Sequence, residues 1–281
     1  MTSVREENGR MLSPAEISQA AESLHQAEID RSQVGLLSLK HPGMTIDDAY
    51  AVQSAWVRRK RDLGRRIIGF KIGLTSKAMQ QALDIDTPDS GVLFDDMLFE
   101  DGATIPADRF IQPRVEAEIA FVMKAPLKGP RVTILNVLNA TDFVIPALEI
   151  LDTRIVRRDP ETQQARGIAD TVADNAANAG LILGGRPMRP DAVDMRWMGA
   201  ILSRNAEVEE TGLGAGVLNH PAHGIAWLAN RLAQNGDAIE PGQIVLSGSF
   251  VRAVEARSGD TFVADFGNHG TVSCHFAQSA A

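Results

Sequence analysis

Apolar residues recur at helical spacing in two early stretches of the chain. Ser13, Pro14 and Glu16 form a capping-box start with proline at the first helical position, and Ile17, Ala20, Ala21 and Leu24 follow on one face, which predicts a helix of about four turns. Thr45 with Asp48 gives a second start ahead of Ile46, Ala49, Tyr50, Gln53, Trp56 and Val57, and Gly64 stands where a C-terminal cap falls. From residue 67 the period shortens to two. IIGFKIGLTS (67–76) puts Ile68, Phe70, Ile72 and Leu74 on one face and Lys71 with two glycines on the other, so it reads as a strand carrying one cation. GVLFDDMLFEDGATI (91–105) and RVEAEIAFVM (114–123) read as further strands, and NVLNATDFVIPALEILDTR (136–154) as mostly helix running into a short extended piece. IVLSGSF (244–250) and DTFVADFGNHGTVSCHF (260–276) read as strands, the latter folded into a hairpin at Gly267 to Gly270. HPAHGIAWLANRLAQNG (220–236) reads as a helix between Pro221 and Gly236. Strands mixed with separated helices predict an α+β fold with a mixed sheet, not a regular βαβ series.

Composition narrows the partners. The 281 residues, 44% hydrophobic, suffice for a sizeable core. With 36 acidic against 28 basic residues and a net charge of −8, nucleic acid and anionic membranes are poor partners, and a small molecule or metal is favoured. Cys274 is the single cysteine, which excludes an internal disulfide and a cysteine-based zinc cluster and suits a reducing cytoplasm. No segment approaches the length of apolar run that a membrane helix needs. The polar stretch 1–11 reads as a disordered leader without a signal peptide's apolar segment.

The chemistry concentrates in PRVEAEIAFVM (113–123). Alternation projects Glu116 and Glu118 to one face, while Val115, Ala117, Ile119 and Phe121 line the other. An antiparallel sheet with one wet face would make both ordinary surface residues. Against that, Ala120 and Val122 on the glutamate face are apolar, and a third carboxylate, Glu149, lies among Ile145, Leu148, Ile150 and Leu151. Sheltered like charges repel and are costly to desolvate without a compensating cation. Three hard oxygen donors favour Mg²⁺ or Mn²⁺ over zinc, with positions left open for substrate.

These segments, PRVEAEIAFV and PALEILDTR together with GFKIGLTSKAM, DNAANAGLILGG and LSGSFVR, resemble the hydratase and decarboxylase branch of the fumarylacetoacetate hydrolase superfamily from Leu12 onward. TIDDAYAVQ and GVLNHPAHGIAWLANRL strengthen the likeness. The resemblance implies a core of rolled β-sheets over residues 91–281, a smaller helical and αβ part over 12–90, and ring-like homo-oligomers, a decamer being one such ring. It places the metal ligands on Glu116, Glu118 and Glu149 and implies a metal-dependent hydratase adding water to a 2-oxo-alkenedioate in aromatic catabolism. Lys71 is the first candidate for enolate stabilisation or proton transfer, with a snorkelling surface lysine as its rival reading, and Asp89 is the second, with a turn aspartate as rival. Ser249 is a candidate for the substrate carboxylate, and Asn175 for orienting water or capping a helix start. A dicarboxylate needs a cation at its far end; Arg114, Arg154 and Arg252 all qualify.

Rival functions stay open. A 4-oxalocrotonate decarboxylase or a 2-oxopent-4-enoate hydratase would use the same ligands. An acylpyruvate hydrolase would need a His/Glu pair, and His25 and His41 lie in polar sequence that offers none. A metal-stabilised scaffold subunit is the non-enzymatic rival. GLGAGV (212–217) follows a polar run and lacks the third glycine of a dinucleotide fingerprint, and His220 and His223 flank a helix start and read as capping and packing. The serines lack a G-x-S-x-G elbow. Cys274 alternates with Val272 and Phe276 and reads as a small core residue.

Overall fold

Both helix starts close as reciprocal caps. The Ser13 backbone N–H donates to Glu16 at 2.8 Å while the Ser13 hydroxyl accepts from the Glu16 N–H. Thr45 and Asp48 repeat the arrangement at 3.0 and 3.1 Å. The computed structural model describes residues 11–82, 85 and 87–279, so apart from Met11 the expected leader lies outside the described residues. Helices α1 (Pro14–Asp30), α2 (Leu37–Lys40) and α3 (Ile46–Asp62) precede strand β1 (Ile67–Gly73), helix α4 (Lys77–Ala82) and strands β2 (Asp89–Phe94), β3 (Leu98–Phe99), β4 (Ala103–Ile105) and β5 (Arg114–Met123). Next come α5 (Ile134–Ala140), β6 (Thr141–Leu151), α6 (Ile168–Ala173), β7 (Asn178–Leu183), β8 (Gly199–Arg204) and β9 (Glu207–Leu213). Helix α7 (Pro221–Leu232) and strands β10 (Ile244–Leu246), β11 (Val254–Glu255), β12 (Thr261–Asp265) and β13 (Thr271–Phe276) close the chain.

The architecture is α+β. The chain divides into two units, one formed by the described residues of Met1–Gly64 with Thr153–Ala177, the other by those of Arg65–Asp152 with Asn178–Ala281. This differs from a boundary near residue 90: β1 and β2 pair with each other and β1 with β10, so residues 65–90 join the sheets, while 153–177 return to the helices. In the helical unit, Arg154 stacks over Trp56 at 5.4 Å and is bound by Asp174, both polar partners being buried. Gln53 of α3 donates to the Val172 carbonyl of α6 at 3.0 Å. Asn175 follows α6 and is buried in a left-handed run with Ala176 and Ala177, so it lies at a helix end and not at the helix start that capping had predicted.

The second unit holds both sheets. The larger has the order β2-β1-β10-β5-β6-β7-β3 with β11 also on β5; the smaller has β4-β13-β12-β8-β9. Val115, Ala117, Ile119 and Phe121 of β5 join Phe262, Val272, Cys274 and Phe276 in one core. Burial contributes about 1.5–3 kcal/mol for each large apolar side chain, which fixes this face of β5 inward and leaves the glutamates on the other.

Three elements depart from the sequence expectation. The segment read as mostly helix is helical only to Ala140, after which β6 runs extended for 11 residues, because Thr141, Val144 and Ile145 are β-branched, Pro146 cannot continue a helix, and β5 pairs with it throughout. The stretch 91–105 breaks into β2, a short helical turn, β3 and β4. The strand expected over 244–250 stops at Leu246, ahead of Gly248 at φ +110°. Two of the glycines of 212–217 serve close packing: a Cβ at Gly212 would lie 1.8 Å from the Phe250 carbonyl oxygen, and one at Gly214 would lie 1.9 Å from that of Met195. Helix α7 begins as predicted, with His220 Nδ1 accepting the Ala222 N–H at 3.1 Å. No helix among the described residues is long and apolar enough to cross a membrane.

Candidate metal centre

Strand pairing gathers the chemistry on one face of the larger sheet. Glu116 stands directly opposite Glu149 across β5 and β6, a pairing that brings opposed Cβ atoms to about 5 Å. Glu118 follows two residues along on the same side. Lys71 is in register with Leu246 of β10 and through it with Ala120 of β5, so the pleat carries Lys71 to the glutamate side; Asp89, opposite Gly73, shares that side. The alternation of IIGFKIG that isolated Lys71 from its apolar neighbours thus aims it at the carboxylates.

One carboxylate oxygen from each of Glu116, Glu118 and Glu149 falls within 4.8 Å of the other two. Glu118 and Glu149 are fully buried and Glu116 is half-buried. The protein binds one oxygen of each buried pair and leaves the other. The Gly248 N–H donates to Glu118 Oε2 at 2.9 Å, and Asn178 Nδ2 donates to Glu149 Oε1 at 2.8 Å, with Lys71 Nζ 3.5 Å from the same oxygen. Among the described residues Glu118 Oε1 and Glu149 Oε2 accept no hydrogen bond. A buried anionic oxygen without a partner costs several kcal/mol, and two facing a third carboxylate form a pocket for a cation.

Electrostatics agree. Burial pushes the Glu116 carboxyl up to about 8, Glu149 adds to the rise, and Lys71 and Arg114 oppose it. Glu118 is driven well above the usual carboxylate range by burial, Glu149 and Glu116, against the pull of the Gly248 N–H. Burial alone would lower the Lys71 ammonium, yet Glu149, Asp89, Glu116 and Glu118 together hold it above the usual lysine range. Four carboxylates, counting Asp89, surround one ammonium, and a divalent ion supplies the missing positive charge. The donors are all hard oxygens, which suits Mg²⁺, Mn²⁺ or Ca²⁺ and not a sulfur- or nitrogen-seeking metal. Gly73 keeps the floor open, since a Cβ there would lie 2.2 Å from Asp89 Oδ1 and 2.9 Å from Lys71 Nζ.

The structure therefore brings together Glu116, Glu118, Glu149, Lys71 and Asp89. It does not aim the others there. The Ser249 hydroxyl closes its own loop, donating to the Val251 carbonyl at 2.7 Å, so the group the loop offers the site is the neighbouring Gly248 N–H. Arg252 is exposed and pairs with Glu210 at 2.6 Å. Asn175 belongs to the helical unit, and the amide on Glu149 comes from Asn178, three residues later in the same DNAANAG run. His41 lies 4.0 Å from Glu16, which is committed to the Ser13 cap in the helical unit, so the two are not a water-activating pair beside the glutamates.

A sheet that shelters three carboxylates around one point beside a buried ammonium defines a divalent-metal enzyme. No family model matches the chain. It is 58% identical to the 2-oxo-hept-4-ene-1,7-dioate hydratase of Escherichia coli over 91% of this chain and 96% of that protein. It is 40% identical to the 2-keto-4-pentenoate hydratase of Paraburkholderia xenovorans over 94% and 96%. The solved 4-oxalocrotonate decarboxylase from Pseudomonas putida G7, complexed with magnesium and adipate, superposes with a TM-score of 0.89 at 37% identity, covering 95% of this chain and 99% of that one. The chain belongs to the hydratase and decarboxylase branch of the fumarylacetoacetate hydrolase superfamily.

Because the two raised carboxyls, Glu116 and Glu118, hold protons that a cation must displace, metal binding near pH 7 should release up to about two protons per ion, and affinity should climb as pH rises toward about 8. The same groups bind protons that the unfolded chain has already lost above the ordinary carboxylate range, so without metal the fold should weaken as pH rises through that window. Calorimetry of Mg²⁺ binding in buffers of differing ionisation enthalpy checks this; proton-neutral binding would contradict it.

Proposed function

We propose that this protein is a Mg²⁺-dependent hydratase that converts 2-oxo-hept-4-ene-1,7-dioate to 4-hydroxy-2-oxoheptanedioate. The observation that carries the reading is the pair of unpartnered oxygens on Glu118 and Glu149 beside Lys71, in a chain 58% identical to a hydratase of that substrate. A neighbour solved with magnesium and adipate, a dicarboxylate, supports both the ion and the ligand class. Bound by Glu116, Glu118 and Glu149, the ion supplies Lewis acidity to the 2-oxo carboxylate.

The chain's own residues account for the rest. A proton moves from C3 to C5, which brings the alkene into conjugation with the 2-oxo group; water then adds at C4 and C3 takes up a proton. Lys71, drawn toward its protonated form by its carboxylate neighbours, acts as a cation and proton donor where charge develops on the C2 oxygen. Asp89 lies on the same side of the sheet and receives the proton or orients the water. Asn178 and the Gly248 N–H hold one oxygen of Glu149 and of Glu118, leaving the second oxygen of each for the ion.

The reading extends to assembly and location. Ile201, Val208 and Leu213 are exposed on one face of the β8–β9 pair, a surface suited to a second copy in a homo-oligomer. A free, buried Cys274 suits a reducing cytoplasm. Sedimentation of the native protein should give a multimer; a monomer at micromolar concentration would remove the assembly.

The decisive assay follows conjugated absorbance and CO₂ after Mg²⁺ is added to EDTA-stripped protein with the dienoate. Hydration without CO₂ is expected, and Lys71→Ala and Glu118→Gln should each lower turnover by at least about 100-fold with the fold intact. Stoichiometric CO₂ would move the assignment to the decarboxylase, and unchanged turnover in both variants would favour a scaffold.

A further inference from the structure

The face of β5 that carries Glu116 and Glu118 begins with Arg114, and alternation places these three side chains on one side of the sheet. Each step of two residues advances about 6.6 Å, so the guanidinium stem starts one repeat beyond Glu116, along the line of the ligands. Arg114 is half-buried, and its charge opposes the upward drift of the Glu116 carboxyl, which puts it within electrostatic reach of the site. Its neighbours across the sheet are apolar Leu151 on β6 and Glu255 on β11. Glu255 turns to Arg257 at 3.6 Å, and among the described residues no carboxylate pairs with Arg114. The other two arginines that could meet a distant carboxylate are committed, Arg154 to buried Asp174 and Arg252 to Glu210 in solvent.

We propose that Arg114 receives the far carboxylate of the substrate and so sets a preference for 2-oxo dicarboxylates over 2-oxo monocarboxylates; this rests on the 2-oxo-acid reading above. The physical need is plain. Four carboxylates stand on this face, so a second substrate carboxylate would be repelled unless a cation met it, and a guanidinium binds a carboxylate through two parallel hydrogen bonds. An ion held by Glu116, Glu118 and Glu149 would supply the positive charge for the 2-oxo acid end, and Arg114 takes the other.

The test uses Mg²⁺-loaded full-length protein and two saturated analogues that cannot be hydrated, 2-oxoheptanedioate and 2-oxoheptanoate, with binding measured by calorimetry. Wild type should prefer the dicarboxylate by roughly 10- to 100-fold. Arg114→Ala should lose that preference while binding the monocarboxylate within about 3-fold of wild type, and Arg114→Lys should keep part of it, which serves as the second variant if the alanine protein folds poorly. No preference in wild type, a preference kept in Arg114→Ala, or equal weakening of both ligands would overturn the proposal. Turnover of the wild type is read separately: preference lost in Arg114→Ala with no hydration of any dienoate would sink the hydratase reading alone, and active enzyme whose preference survives Arg114→Ala would sink only this one.

Discussion

Like charge under cover is the constraint on which the rest of this protein depends. Glu118 and Glu149 are wholly buried, Glu116 opposes Glu149 across two paired strands, and one ammonium from Lys71 cannot balance them. A fold built for stability alone would place apolar side chains at these positions, as it does on the opposite face of β5 at Val115, Ala117, Ile119 and Phe121. One strand thus serves two purposes, and the period of two keeps them apart. The core side locks the register, and the register in turn brings Glu116 level with Glu149, so the packing of Phe121 and its neighbours sets the site geometry at a distance.

The support around the ligands follows the same logic. Each buried glutamate has one oxygen tied down, by Asn178 or by the Gly248 N–H, and those bonds fix the direction of the second oxygen. At Gly248 the chain takes φ +110°, and a Cβ there would lie 2.3 Å from Thr75 Oγ1, so the backbone comes close enough to reach Glu118 only because that residue has no side chain. Lys71 is held above the usual lysine range by Glu149, Asp89, Glu116 and Glu118.

Much of this was legible in the sequence, and the omissions have physical reasons. Glu116, Glu118 and Lys71 declare themselves through alternation, which is local. Glu149 is singled out by its apolar surroundings, but the stretch that holds it reads as mostly helix running into a short extended piece, because the pairing that makes β6 extended comes from β5, some thirty residues away. Asn178 and the Gly248 N–H lie in segments whose turn chemistry resembles any loop, so nothing local marks them as partners of Glu149 and Glu118. The two units divide elsewhere than near residue 90 because β1 lies beside β10, a pairing between segments more than 170 residues apart that no local pattern reveals. Choosing among arginines required knowing that Asp174 and Glu210 had already claimed two of them.

The most direct test of the central claim is anomalous diffraction from crystals grown with Mn²⁺. A single peak bounded by carboxylate oxygens of Glu116, Glu118 and Glu149 is expected. Manganese bound elsewhere, or those three side chains ordered together without it at a saturating concentration, would contradict the account.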